Sequence, residues 1–370
     1  MRAHDAMQAL CARAAQVHSD IEADLAAAEM ALALSANPEP GADTPAQACA
    51  QKREMATAGL SLSITKTGNS QWIFGRMVFR SVNGQGLGAF AIHQYEKGAR
   101  IVAERPLASI AVPDKGRISK KEAKLLVAEV IGSLGESQRL AFFSLSQHPS
   151  YGDEQSAIGT WLSNVYPTTV AARDSNNPSG CDGMGAFAEL SRLNHACMPN
   201  TMVQWHPGLG CLTLQAARDI RCGEELTVAY HGLDGVSGMV RSDRQLVLLE
   251  RFGFHCGCLT CRLTDEALLQ SERRQRRLAE LTAVIGVIGS EPRPPYARIQ
   301  LMIPEVLQLM REERMPMPWA KTWVVRGVMI AGEAGEHAAA RAWTQVAAEC
   351  VRVSGGSDCM EYQRITGRSS

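Results

Sequence analysis

Two short stretches carry residue types whose spacing can do chemistry. In Cys256-x-Cys258-x-x-Cys261 one tight turn can aim three sulfurs at a common point, about 2.3 Å from a zinc ion. Three thiolates leave a tetrahedral site one ligand short, so the fourth must come from elsewhere. The second stretch, Arg192-Leu-Asn194-His195-Ala-Cys197-Met-Pro199-Asn200, sets an Asn-His pair, a cysteine and a Pro-Asn turn behind an apolar approach, Gly185-Ala-Phe-Ala-Glu-Leu, which reads as the tail of a buried strand. Buried polar groups need partners, so this segment is either a wet surface turn or holds something. Cys197 is the natural fourth ligand, and an ion shared by Cys197, Cys256, Cys258 and Cys261 pins the Cys-rich tail to the Asn-His turn. A closed site of this kind is structural rather than catalytic. The bland alternative is three unrelated thiols downstream and a fourth upstream.

Tyr230 ends the apolar run Glu225-Leu-Thr-Val-Ala, where a phenol is most often a half-buried core residue whose hydroxyl reaches water. Its place in the chain, after the Asn-His turn and before the cysteines, is what makes it a candidate. The glycine cluster Asn83-Gly84-Gln85-Gly86-Leu87-Gly88 leads into a strand, so it is no dinucleotide fingerprint, and a hairpin turn is its ordinary reading.

Composition bounds the partners. The 370 residues carry 38 basic and 38 acidic side chains, a formal net charge of zero, with no long single-sign run to track DNA or anionic lipid. Nucleic acid and membrane are therefore not expected partners, and a zinc-finger nucleic-acid binder is a poor reading. The opening Met1-Arg-Ala-His-Asp lacks the apolar core of a signal peptide, and no apolar run is long enough to span a bilayer. An intracellular protein is expected, in nucleus or cytoplasm, whose eleven cysteines are thiols or metal ligands rather than a disulfide framework.

The elements that must position these residues follow from periodicity. Residues 1–34 read as an Ala-rich helical segment and 35–70 as a linker. Trp72 to Phe79 reads as one strand, and with Ala89–Ile92 and Arg100–Glu104 it suggests an antiparallel meander. Residues 113–180 form a helical insert ending in an exposed loop. Thr201–Trp205 and Cys211–Gln215 flank a hairpin turn, a helix runs from about Met239 to Arg251, and residues 263–370 form a helical carboxy-terminal region, the expected seat of any protein partner. Residues 71–262 are the expected core domain, β-rich within an α+β fold.

Taken in order, four motifs resemble those of SET-domain protein-lysine methyltransferases: Gly84-Gln-Gly86-Leu87, Arg192 to Asn200, Gly223-Glu-Glu-Leu-Thr-Val-Ala-Tyr230, and Phe254-x-Cys256-x-Cys258-x-x-Cys261. The helical insert and helical tail resemble the split-SET class of SET and MYND proteins and their fungal relatives. No Cys-x-x-Cys pair lies between Pro106 and Gly180, so the MYND finger is missing. Ala196 replaces a common serine, and His231-Gly232 follows the tyrosine in place of the usual residues. The resemblance implies small twisted sheets with a knot-like threading, a helical insert and a zinc-binding tail. It implies a protein substrate, histone or non-histone, and S-adenosyl-L-methionine as methyl donor. The donor is expected against Asn83, Gly84, Gln85 and Gly86, with Asn194 on its amino-acid end, the His195 backbone and the Phe254 ring at its adenine, and Asn164 as a further contact. Tyr230 is expected to line donor and lysine channel as the catalytic residue. A catalytically silent SET-fold scaffold protein is the alternative.

Overall fold

The computed structural model describes residues 65–67, 71–74, 76–82, 86–111, 120–151, 156–168, 183–230, 238–288 and 296–367. The expected amino-terminal helix, most of the linker, the loop before Gly183, His231-Gly232, and Asn83, Gly84 and Gln85 lie outside the described residues. In chain order the strands and helices begin with β1 (Thr65–Thr67), β2 (Gln71–Phe74), β3 (Met77–Val82), β4 (Gly86–Ala91), β5 (Arg100–Glu104) and β6 (Ala108–Ala111). The insert contributes α1 (Lys120–Gly132), α2 (Glu136–Phe143) and α3 (Ala157–Asn164). There follow β7 (Val165–Thr168), β8 (Gly183–Ala186), β9 (Asn194–His195), β10 (Thr201–His206), β11 (Cys211–Ala216) and β12 (Glu225–Val228). Helices α4 (Arg241–Phe252), α5 (Asp265–Ile288), α6 (Tyr296–Glu312), α7 (Lys321–Glu333), α8 (His337–Gly355) and α9 (Met360–Thr366) complete the chain. This is the α+β architecture of small sheets followed by helices that the motifs implied.

The strands form three sheets, ordered β1-β2-β3-β4-β12-β9, β10-β11-β5 and β6-β8-β7. Two strand expectations are corrected here. The single strand Trp72–Phe79 is a hairpin, with Phe74 opposite Met77. Apolar residues on both sides of a very short connection hide such a turn from the sequence. The supposed third strand of the meander, β5, pairs instead with β11, Leu214 facing Val102. The chain leaves the first sheet through the bridge between Tyr95 and Ile220 and the turn that follows it. The insert, expected to be helices and loop, also supplies a strand: β7 pairs antiparallel with β8, Tyr166 opposite Gly185.

Around the chemistry-bearing residues the topology is compact. β9 lies parallel to β12, with Asn194 opposite Thr227 and His195 opposite Val228. Asn200 locks this pairing: its Nδ2 donates to the Glu225 carbonyl at 2.8 Å, and its Oδ1 accepts from the Thr227 amide at 2.9 Å. The Pro-Asn turn is thus structural, its polar groups satisfied inside the fold. α4 ends at Gly253, whose φ of 75° lets the chain turn out of the helix into the cysteine run.

Two apolar cores meet at this point. One is built on β3, β4, β11 and β12, with Phe79, Phe187, Leu190, Leu193, Leu214 and Leu226. The other runs from Cys197, Cys256 and Cys261 through Leu248 into the helices carrying Leu278, Ile303, Val324 and Trp343. Within it α7 and α8 pack against each other, with Gly327 against Ile303 and Trp343. The half-buried ring of Tyr230 packs against both cores.

Candidate active site and cysteine knuckle

The four candidate sulfurs converge. Those of Cys197, Cys256, Cys258 and Cys261 all lie within 4.8 Å of one another, with Cys197 at 3.4 Å from Cys261 and 4.0 Å from Cys256. A tetrahedral zinc thiolate site has sulfur–sulfur edges of about 3.8 Å, so the set fits that ion. The surroundings fit as well. The Cys258 amide points at the Cys256 sulfur at 3.4 Å, as in a metal-binding knuckle, and the Gln245 side-chain amide brackets the Cys256 backbone with two hydrogen bonds of 2.8 and 2.7 Å. With four thiols so close, their ionisation is uneven: contacts with Cys256, Cys258 and Cys261 push the buried Cys197 thiol far up, and contact with Cys197 pulls Cys258 far down. A divalent cation is the natural counter-charge for such a donor set.

His195 joins the knuckle to the phenol. Its Nδ1 accepts a hydrogen bond from the Tyr230 amide at 3.0 Å, which leaves the ring proton on Nε2, 3.5 Å from the Cys197 sulfur. The Tyr230 ring sits 5.3 Å from the His195 ring, 4.8 Å from Phe252 and 6.1 Å from Phe254, and Phe254 is 6.1 Å from His195. Cysteine knuckle, imidazole and three aromatic rings therefore form one continuous wall.

The phenol hydroxyl is fixed. It donates to the Leu193 carbonyl at 2.7 Å, so its one proton is committed and its lone pairs face the remaining directions. Burial, reinforced by Glu225, pushes the Tyr230 phenol well above its ordinary value, so it stays protonated at neutral pH. Asn194 donates through Nδ2 to Glu225 at 2.9 Å. Gly88 lies directly beneath that pair, and a Cβ there would meet Glu225 Oε1 and approach Asn194 Nδ2 to 3.0 Å. Among the expected glycines, Gly86 needs its type for another reason than close approach. Its φ is +77°, and no described atom lies within 4 Å of where its Cβ would be.

Asn164 stands apart from this wall by its contacts. Its amide nitrogen donates to the Ser146 and Thr160 carbonyls, and its own carbonyl accepts from the Ser191 hydroxyl at 2.7 Å. It holds the insert against the Leu190 segment.

Several residues around Tyr230 had no signal in the sequence. The Tyr166 hydroxyl donates to the Leu190 carbonyl at 3.2 Å, so two phenols dock on carbonyls three residues apart, and burial and Tyr230 both push the Tyr166 phenol up. The 3-10 turn Leu190–Arg192, which offers the first of those carbonyls and is followed directly by the second, is capped by Glu104, whose carboxylate accepts from the amides of Ala188, Glu189 and Leu190 at 2.6 to 3.2 Å. Phe252, the last residue of α4, supplies the ring nearest Tyr230.

Comparison with known proteins matches residues 86–231 to the family described as SET domain. The fission yeast histone-lysine N-methyltransferase set5 is 30% identical over 200 residues, 54% of this chain and 54% of that protein. The human histone-lysine N-methyltransferase SMYD3 is 37% identical over 84 residues, 23% of this chain and 18% of that one. The mouse protein-lysine N-trimethyltransferase SMYD5 is 29% identical over 109 residues, 29% and 25% of the two chains. The match thus spans about half the length of the yeast relative and less of the others.

Proposed function

The chain carries a SET domain homologous to those of set5 and the SMYD methyltransferases, and from that premise we propose that it is an S-adenosylmethionine-dependent protein-lysine N-methyltransferase. The observation that carries the reading is the convergence of Tyr230, His195 and Phe254 with a four-cysteine knuckle on one wall. S-adenosylmethionine supplies an electrophilic methyl group on a positive sulfonium. Gly86 and Gly88 with Asn83, Gly84 and Gln85 would form the donor's backbone cradle. Asn194 would take its amino-acid end, the His195 backbone and the Phe254 ring its adenine, with Asn164 supporting the segment behind.

What the protein must do to the lysine is chiefly to neutralise and aim it. A free lysine has a pKa near ~10.4 and is protonated at neutral pH, whereas the attacking amine must be neutral. An apolar channel beside a positive donor, with Tyr230 and Phe252 on its wall, would disfavour the ammonium by desolvation and like-charge repulsion. Tyr230 is a poor base because its phenol is held protonated, so its part is to orient. With its hydroxyl donating to the Leu193 carbonyl, its oxygen would accept from the amine N–H and so orient the nitrogen lone pair for attack. Positioning of this kind is worth on the order of 7 to 11 kcal/mol in favourable cases.

Zinc in the knuckle would cross-link Cys197 to the 256–261 turn and so hold Phe254 beside His195 and Tyr230. The test is incubation of the full chain with a protein extract and isotopically labelled donor, followed by mapping of the labelled residues. Label on lysine side chains is the expected result. Donor binding without any transfer to protein supports a silent scaffold, and label only on other residue types removes the lysine assignment.

A further inference from the structure

A tetrathiolate zinc site carries an electrostatic problem that the four ligands do not solve. Four thiolates against a divalent ion leave two negative charges, and three of the four cysteines are buried. An uncompensated buried charge is strongly unfavourable, so a countercharge is expected close by.

One residue meets that need. Arg244 is the bulkiest of the fully buried side chains among the described residues, 2% exposed, on the face of α4 turned to the knuckle. Its Nη2 lies 4.0 Å from the Cys261 sulfur, and its Nη1 donates to the Met239 carbonyl at 2.6 Å. Its Nε has no hydrogen-bond partner, and no carboxylate pairs with the guanidinium, among the described residues. A guanidinium buried without a carboxylate partner is rare, because such a residue needs an anion to remain inside. The neighbours on that helix face serve the same turn. Arg241 Nη1 donates to the Leu263 carbonyl at 2.9 Å, and Gln245 brackets Cys256. Positions 241, 244 and 245 share one side of a helix, so α4 presents a single polar stripe to the cysteine run.

We propose that Arg244 is the outer counter-cation of the cysteine knuckle, setting how tightly Cys197, Cys256, Cys258 and Cys261 hold their metal. Its charge lowers the electrostatic burden of the dianionic site and its N–H groups withdraw density from the Cys261 sulfur. It is a positioning residue, touching neither donor nor lysine. The inference rests on the zinc reading of the four cysteines, and the experiment separates failure of one from failure of the other.

The full-length chain is purified with zinc, its metal content measured, and the rate of zinc loss to a chromogenic chelator compared between wild type, Arg244→Lys, Arg244→Gln and Arg244→Met. Cobalt-substituted protein gives a second readout in its thiolate-to-metal absorption band. The uncharged variants are expected to lose zinc roughly tenfold or more faster, the size of effect usual for groups behind metal ligands. Arg244→Lys is expected to fall between them and wild type, and the cobalt band to move to lower energy in Arg244→Gln and Arg244→Met. Wild-type retention and an unshifted band in Arg244→Gln overturn the inference. Where Arg244→Met is not recovered folded, Arg244→Gln decides. Recovery of Arg244→Lys only with zinc, and of Arg244→Gln not at all, supports the charge requirement, and equal failure of both overturns it. A wild-type chain without stoichiometric zinc overturns the metal reading itself.

Discussion

Glu189 sits where the chain turns toward the Leu190 and Leu193 carbonyls, half-buried beside a second carboxylate. Burial, then repulsion from Glu104, pushes its carboxyl up to about 7. The raised value means that the fold favours the protonated form. The stability it contributes is whole below the ordinary carboxyl value near 4.5 and is lost as pH rises through about 7. Glu189→Gln is therefore expected to flatten the fall in stability between pH 5 and pH 8, by at most about 3 kcal/mol. Denaturant unfolding at the two pH values checks it, and an unchanged slope in the variant contradicts it. At this scale the sequence is legible where bonding chemistry restricts residue type. Four cysteines close enough to share one ion announce themselves by spacing and by the missing ligand. Tyr166 and Glu104 do not, because each acts through a contact with residues 24 and about 85 positions away, and nothing local marks a phenol or carboxylate for that purpose.

The 3-10 turn Leu190–Arg192 is the element on which the site depends, since its carbonyl and the one following it anchor both phenols. Its amino end is held by one side chain from β5 in another sheet. Glu104→Ala leaves the amides of Ala188, Glu189 and Leu190 without their acceptor and is expected to destabilise the chain by about 2 kcal/mol or more. Methyl transfer is expected to fall further than donor affinity, because the turn aims Tyr230 rather than the donor. Thermal unfolding and a comparison of donor binding with turnover check this, and an equal loss of both contradicts it. Among elements, those with their own punctuation were readable. The β10–β11 hairpin has a Pro-Gly turn, and α4 through α8 have apolar faces with three- and four-residue spacing. The β2–β3 hairpin was missed because only two residues, Gly75 and Arg76, break an otherwise strand-like run. The move of β5 to another sheet was missed because strand pairing is decided by contacts far along the chain.

In the whole molecule the knuckle is also the joint between the sheets and the helical half. Cys197, Cys256 and Cys261 belong to the same core as Leu278, Ile303 and Trp343, and the seam is continued by Arg100 with Asp358 and by Lys97 with Glu349. Zinc removal is thus expected to loosen more than a local turn. Stripping with a chelator should lower the melting temperature by at least about 3 °C, the order that roughly 2 kcal/mol produces in a chain of this size, and should weaken donor binding as Phe254 is released. An unchanged melting curve after complete zinc loss would contradict the joint. No described helix is long and apolar enough to cross a membrane, and the order of the motifs foretold the architecture, although not which core each strand would serve. The central claim is that the knuckle and the wall it closes exist to aim a lysine past Tyr230. It is tested most directly by titrating S-adenosylmethionine into zinc-loaded wild type and Tyr230→Phe, then measuring methyl-lysine formation by both. The account predicts donor affinities within a few-fold of each other and turnover at least about a hundredfold lower in the variant. Equal turnover in the two proteins, or donor binding by wild type with no methyl-lysine formed on any protein in the extract, would contradict it.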